Sequence, residues 1–374
     1  MGLTLPLATR AGSVTPVGID VGDRSVRAAQ LRRIGDKYAV TRMGGMQLPE
    51  DLSTRTNPQA ASKLIGAWLM QMGFRKRECV MGLSTPDIEL HAMELPASAS
   101  PAQTRQAARW EIERLMSFED GAATIDYWPI PESRQMTSSA IGVAACPTAF
   151  ETLMPICERA KFRCTRLDAT SCALARFGSI FRGPVSQKDV WGVLDLGARQ
   201  TRLIICVAQV PVLARSFNKG GRKWTDQLAD ALSISRKAAE RHKRDHGIGA
   251  AKQQRRKSDS EIASGGPVAE MIYNVLREEL GGIVGELERS YKYAIRCFND
   301  RPCGPLLLVG GAASMKNLAE LLTSKLGIEV IVPSMESVEP HSQIDFSQLR
   351  EHVREPLPEY AAAIGLAIDP GDSL

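Results

Sequence analysis

One pattern in this chain occurs twice at a fixed offset. Val17-Gly18-Ile19-Asp20-Val21-Gly22 is an apolar run ending in Asp-x-Gly, and Gly192-Val193-Leu194-Asp195-Leu196-Gly197 is another. A polar turn follows each, through Asp23-Arg24-Ser25 in the first case and Arg199-Gln200 in the second. Two strand-like runs come next: Val26–Leu31 and Tyr38–Met43, then Thr201–Val207 and a run from Val212. Asp20 and Asp195, Gly22 and Gly197, Arg24 and Arg199, and Arg27 and Arg202 all stand 175 positions apart. A lone Asp-x-Gly is an ordinary turn. Two in matching settings predict two halves of like fold, each opening with a meander of β-strands. With 374 residues and 44% hydrophobic content, the chain can bury two such cores.

Apolar periodicity fills out the halves. Trp224, Leu228, Ala231 and Leu232 share a helical face, and Ile272, Leu276, Leu280, Ile283 and Leu287 predict one long helix over Ile272–Ile295. Pro305–Val309 reads as a buried strand running into Gly310-Gly311. A helix with Leu318, Leu321, Leu322 and Leu326 follows, then a strand at Ile328–Val332. Thr85–Ala149 differs in character. It has one helix with Ala108, Ile112, Leu115 and Met116 on a face, and strand-like Thr124–Ile130 and Ser139–Ala145 joined by a polar turn at Glu132–Ser138. The expected organisation is a flexible tail over 1–15, a first domain over 16–84, and an inserted α+β subdomain over 85–149. The first domain and hinge continue over 150–189, a second domain spans 190–345, and the chain returns to the first over 346–374.

Charge and cysteine usage narrow the class. The net charge is +5, and basic residues cluster only in Arg236–Lys257. A surface for single-stranded nucleic acid would interleave aromatic side chains with the basic ones. This run has none, so it reads as a solvated helix and loop, with an acidic partner or lipid headgroups as the second reading. Cys79, Cys146, Cys157, Cys164, Cys172, Cys206, Cys297 and Cys303 form no CxxC pair and have no histidine cluster beside them. That favours buried reduced thiols over zinc ligands or disulfides, and a reducing cytoplasm. No apolar run reaches the ~18 residues of a membrane span. The N-terminus, with Arg10 its only ionisable side chain, lacks the pattern of a signal peptide.

The twin turns suit a polyphosphate. Glycine at Gly22 and Gly197 lets the turn backbone approach phosphate oxygens. Mg²⁺ is often held through one or two carboxylates plus phosphates, and Asp20 and Asp195 at the ends of central strands meet that need. Ser25 and Thr201 offer hydroxyls, Arg27 a positive charge, and Gly310-Gly311 a backbone able to pass over a base or ribose. Plain structural readings stand beside these: turn caps for the aspartates, a turn residue for Ser25, a solvent-facing Arg27, and a simple strand-to-helix turn for the glycine pair.

In this order the motifs resemble the two phosphate loops and the adenosine turn of the actin, Hsp70 and sugar-kinase superfamily. That superfamily has a duplicated, actin-like and ribonuclease H-like α/β fold with a nucleotide cleft between its halves. More narrowly, the chain resembles the PilM family of type IV pilus assembly proteins over almost its whole length. The stretches that carry this are Gly18–Gly22, Ala107–Glu113, Leu174-Ala175-Arg176, Asp195–Ala198 with Thr201, Arg215–Gly221, Ala238–Arg244 and Tyr360–Ala367. The inserted region resembles the extra subdomain of PilM-like proteins and of the division protein FtsA. The resemblance implies ATP and Mg²⁺ as ligands, with Asp20 and Asp195 facing the metal through water. It puts Asp20, Gly22 and Arg27, beside Ser25, in the first phosphate loop, and Asp195, Gly197 and Thr201 in the second. Glu240 and Lys243 flank the adenine and ribose, Gly310, Gly311 and Met315 line the base pocket, and Gly221 is a further cofactor-binding position.

Two positions depart from the pattern. Relatives commonly carry a small residue where Asp23 stands, so Asp23 adds negative charge near the phosphates unless it turns outward or faces the cation. Thr170 stands where hydrolysing relatives carry an acidic residue that helps orient the attacking water. Its absence implies at most slow hydrolysis, with Asp168 a weak substitute. The function implied is an ATP-binding assembly platform in the cytoplasm, peripheral to the inner face of the cytoplasmic membrane. It would recruit the tail of a PilN-like bitopic membrane protein, and pilus motor components, but no nucleic acid. The alternatives are a sugar or small-acid kinase of the same superfamily and a GspL-like type II secretion component; the inserted subdomain favours the platform.

Overall fold

The computed structural model describes residues 12–369 apart from 51, 86, 97–99, 119–122, 134–136, 185–188, 250–265, 299–300, 339 and 350–355. The tail over 1–11, the centre of the Glu132–Ser138 turn, and Lys252, Arg255, Arg256 and Lys257 of the basic run lie outside the described residues.

The chain opens with β1 (Ser13–Val14), β2 (Val17–Val21), β3 (Ser25–Ile34) and β4 (Lys37–Gln47), then α1 (Pro58–Gln71) and β5 (Glu78–Leu83). The inserted region supplies β6 (Ile88–Met93), α2 (Pro101–Leu115), β7 (Thr124–Pro129) and β8 (Ala140–Ala145). After it come α3 (Pro147–Ala160), β9 (Arg163–Ala169) and α4 (Thr170–Arg182). The second half runs β10 (Val190–Leu196), β11 (Thr201–Val207), β12 (Val210–Phe217), α5 (Gly221–Leu232), α6 (Arg236–His246), α7 (Gly266–Cys297), β13 (Cys303–Val309), α8 (Leu318–Leu326) and β14 (Val330–Ile331). The short β15 (Ile344–Asp345) pairs with β4, so the chain is back at the first sheet by Ile344. A 3-10 turn (Leu357–Tyr360) and α9 (Ala361–Ala367) close it.

The repeat extends to strand order. The sheets read β4-β3-β2-β5-β9 and β12-β11-β10-β13-β14, with β15 beside β4 and β1 on β3. Each is an antiparallel three-strand meander joined to two parallel strands. Parallel strands covered on both faces read as continuous apolar runs, and β10 is buried along its whole length. Helices α4 and α9 are the layer between the two sheets. One buried cluster joins Ala29 and Leu31 of the first sheet to Leu174, Phe177 and Ile364 of the helices and to Val193, Ile204 and Leu307 of the second sheet.

The inserted subdomain is a separate antiparallel sheet of order β6-β8-β7. Helix α2 packs Ala108 and Ile112 against Met93, Ala140 and Ala144. Its start is held by a capping box between Ser100 and Gln103, which satisfies donors that a helix N-terminus leaves free. Beyond the two strands expected here, the sheet has a third, β6, for which the alternation Ile88-Glu89-Leu90-His91 is the local signal. The subdomain also reaches the second half, where Trp128 Nε1 donates to the Pro211 carbonyl at 2.9 Å. Among the described residues no helix is long and apolar enough to cross a membrane.

Candidate functional site

The two Asp-x-Gly turns face one cavity of about 390 Å³ between the halves. Asp20, Gly22, Ser25, Arg27, Asp195, Gly197, Gly221, Glu240, Lys243, Gly310 and Gly311 all line it. The turns are built alike. Gly22 N–H donates to the Ser25 carbonyl at 2.9 Å, and Gly197 N–H to the Gln200 carbonyl at 3.0 Å. A Cβ at Gly22 would stand 3.1 Å from the first of these oxygens, and one at Gly197 2.9 Å from the second. Both turns are therefore too tight for a comfortable side chain.

Strand register sets Asp20 opposite Arg27 and Asp195 opposite Arg202, but the two Asp–Arg pairs behave differently. Arg202 Nε donates to Asp195 Oδ2 at 2.8 Å. Arg27, deeply buried, instead pairs with Glu359 of the closing 3-10 turn. Asp20 makes no ion pair among the described residues. Burial pushes its carboxyl above the usual range; Arg202 draws it back, the nearby Asp195 carboxylate pushes it further up, and Arg27 draws it back. Two carboxylates at the floor of a cleft, one of them lacking a counter-ion, form a donor set that fits a hard divalent cation.

The other departures also resolve. Asp23 does face cations, but those of the second half: Arg199 Nε lies 3.5 Å away and Arg222 Nη1 3.8 Å. Its charge is thus answered across the mouth of the cleft. Asp168 is ion-paired with Arg176 and, at 3.4 Å, with Arg166, and it does not line the cavity. Thr170 is fully buried, with its Oγ1 3.5 Å from Ser84 Oγ.

Helices α5 and α6 form the opposite wall. Lys243 Nζ donates to the Gly221 carbonyl at 2.9 Å and to Thr225 Oγ1 at 2.8 Å, and meets Glu240 Oε2 at 2.6 Å. Burial alone would raise the Glu240 carboxyl, but Lys243, Thr225 and Arg244 outweigh it and hold it at about 2. Burial also lowers the Lys243 ammonium, with Glu240 opposing. Thr201 and Met315 are not brought to the wall. Thr201 is fully buried, with its hydroxyl spent on the Lys219 carbonyl at 2.5 Å, and Met315 sits in the core of the second half. Arg236, Lys237 and Arg244 line the cavity, so the start of the basic run faces the cleft.

Arg202, Thr225, Arg222 and Glu359 also line the cavity, although the motifs alone point to none of them as a ligand. Arg202 is the repeat counterpart of Arg27, which was signal enough to find it. Thr225 lies one helical turn beyond Gly221. Glu359 arrives from the far end of the chain with no local signal.

Twin meander sheets, paired glycine turns and a cleft floored by two aspartates define an actin-like fold. A profile described as type IV pilus assembly protein PilM matches residues 18–255, which is more than half of the chain. The chain belongs to that family. A profile of the cell division protein FtsA matches residues 192–365. Among solved structures, a PilM–PilN type IV pilus biogenesis complex is 23% identical, covers 94% of this chain and 97% of its own, and superposes with a TM-score of 0.73. The ethanolamine utilization protein EutJ from Carboxydothermus hydrogenoformans is 14% identical, with 96% and 91% coverage and a TM-score of 0.50.

Proposed function

We infer that the protein binds ATP with Mg²⁺ in this cleft and serves as an assembly platform that docks the cytoplasmic tail of a PilN-like membrane protein. The observation that carries the nucleotide reading is Asp20, a carboxylate with no ion pair among the described residues, held between twin glycine turns beside Asp195. Asp20 and Asp195 would hold the cation, which offsets phosphate charge when bound. The turns at Gly22 and Gly197 leave room for phosphates, and Lys237 stands on the wall beside Arg236 and Arg244, which are paired with Asp226 and Glu240. Glu240 and Lys243 brace α6 against α5 beside the base and ribose. Thr170 is buried, and Asp168 is held by arginines outside the cavity lining, which supports binding with slow turnover. In calorimetry, Asp20→Asn should weaken Mg²⁺–ATP at least about tenfold, roughly 1.4 kcal/mol. Unchanged affinity would remove Asp20 from the site.

The docking reading is supported by family membership and by the inserted subdomain, which has sheet edges at β6 and β7. Trp110 on α2 is 66% exposed, and a large solvent-facing aromatic is a common interface anchor. An extended tail can add to a sheet edge or lie along such a helix, and it would hold the protein at the inner face of the cytoplasmic membrane. Trp110→Glu in the full chain should abolish capture of a synthetic PilN-like tail while ATP binding persists. Full capture by that variant would move the dock off α2.

A further inference from the structure

Three thiols distant in sequence meet outside the cleft. Cys79 on β5 and Cys164 on β9 are register partners on adjacent parallel strands, and Cys157 comes from α3, which packs against β9. Their Sγ atoms all lie within 4.8 Å of one another. Cys79 Sγ and Cys157 Sγ are 3.6 Å apart, and Met81 Sδ is 3.1 Å from Cys157 Sγ. All three cysteines are free. Among the described residues no other three His, Cys, Asp or Glu side chains converge this closely. The absence of a CxxC motif hid the cluster, because three separate elements build it.

The spacing is informative. A disulfide needs its sulfurs ~2.05 Å apart. A metal with sulfur bonds of ~2.3 Å holds its thiolates roughly 3.8–4 Å apart; Cys79 and Cys157 at 3.6 Å come near that, and Cys164 Sγ lies within 4.8 Å of both. Every donor is sulfur, with no imidazole or carboxylate in the set. Thiolate and thioether ligands select soft ions, Cu(I) foremost; structural zinc sites instead complete their four ligands with cysteine or histidine. Cys79, Met81 and Cys157 are buried, whereas Cys164 is partly exposed on the edge strand β9, which gives an ion a way in.

We propose that Cys79, Cys157 and Cys164, with Met81 as a fourth sulfur, form a binding site for Cu(I). The bound ion ties β5, β9 and α3 together, and β9 leads directly into α4, the helix between the two sheets. The test uses the reduced full-length protein without oxygen, with Cu(I) competed against the chelator bicinchoninate. The protein should withdraw one Cu(I) per chain and melt at a higher temperature when loaded. Cys164→Ala should lose most of that capacity while its copper-free melting temperature stays near wild type, and Cys303→Ala, at an exposed thiol, should bind as wild type. Should Cys164→Ala fail to fold, X-ray absorption of the copper-loaded wild type decides: three or four sulfur neighbours near ~2.3 Å support the site, and nitrogen or oxygen neighbours overturn it. Failure of the wild type to hold Cu(I) against the chelator, wild-type binding by folded Cys164→Ala, or a preference for Zn(II) in the same competition would also overturn it.

Discussion

Gly310 and Gly311 are neighbours on the cleft wall, yet alanine should act on fold stability at the first and on ligand binding at the second. Gly310 has a φ of 91°, a region that costs other residues about 1–3 kcal/mol. A Cβ there would run into Asp195 Oδ1 and stand 2.7 Å from the Leu196 carbonyl oxygen. Neither atom gives way easily. Asp195 is pinned by Arg202 at 2.8 Å, and the Leu196 carbonyl already accepts from Ala312 N–H at 3.1 Å. Overpacking of this kind adds about 1–3 kcal/mol, so Gly310→Ala should cost at least ~2 kcal/mol. At roughly 2–4 °C per kcal/mol for a domain of 150–250 residues, Tm falls by at least ~4 °C. At Gly311 a Cβ meets no atom within 4 Å, so the ligand-free Tm of Gly311→Ala should stay at wild type. Its methyl takes up space beside the cavity, so the loss falls on the ligand. Saturation at a hundredfold Kd stabilises a protein by about 2.7 kcal/mol, and this thermal shift should shrink. Differential scanning fluorimetry of both variants, with and without Mg²⁺–ATP, tests the pair. A wild-type Tm for Gly310→Ala, or an equal loss in ligand-free Gly311→Ala, refutes the reasoning.

Burial raises the Asp20 carboxyl from 3.8, so its ionisation costs the fold stability; that cost is absent below 3.8 and complete above the raised folded-state value. Asp20→Asn should therefore stabilise the ligand-free protein at neutral pH in urea unfolding while removing the gain from Mg²⁺–ATP; a less stable ligand-free variant would contradict this. Glu240 runs the other way: held at about 2 against 4.5, it contributes stability that is full above 4.5 and lost as pH falls toward 2. Glu240→Gln should be destabilised most at neutral pH, the gap narrowing below pH 4.5; a pH-independent gap would show that charge is not the cause. A phosphate-release assay should find turnover far below the ~10 s⁻¹ of a median enzyme, and a rate near that value would disprove the assignment of slow hydrolysis.

The meanders were legible because strand, turn and strand are local. Alternation and a glycine turn within a few residues specify each hairpin, so Thr201–Val207 appears in the sequence with the bounds that β11 has. The inserted sheet was legible only in part: β7 and β8 are neighbours in the chain, whereas β6 joins them across α2. In the site, the residues on the twin turns were readable from the repeat. The position of Thr201 in the repeat suggests a phosphate-facing hydroxyl, but the fold spends that hydroxyl on the Lys219 carbonyl.

By itself the sequence determined the duplication, the paired aspartates and the glycine turns that face the cleft, since all of these follow from composition and spacing over short stretches. Only the tertiary structure decided which charges answer one another. Repeat symmetry treats Arg27 and Arg202 alike, yet Arg202 pairs with Asp195 while Glu359, brought in by the returning chain, takes Arg27, and Asp20 has no ion pair among the described residues. The same holds for Asp168, captured by Arg176, and for the three thiols gathered from β5, α3 and β9. Such pairings depend on packing between elements far apart in the chain, and local periodicity carries no record of that approach.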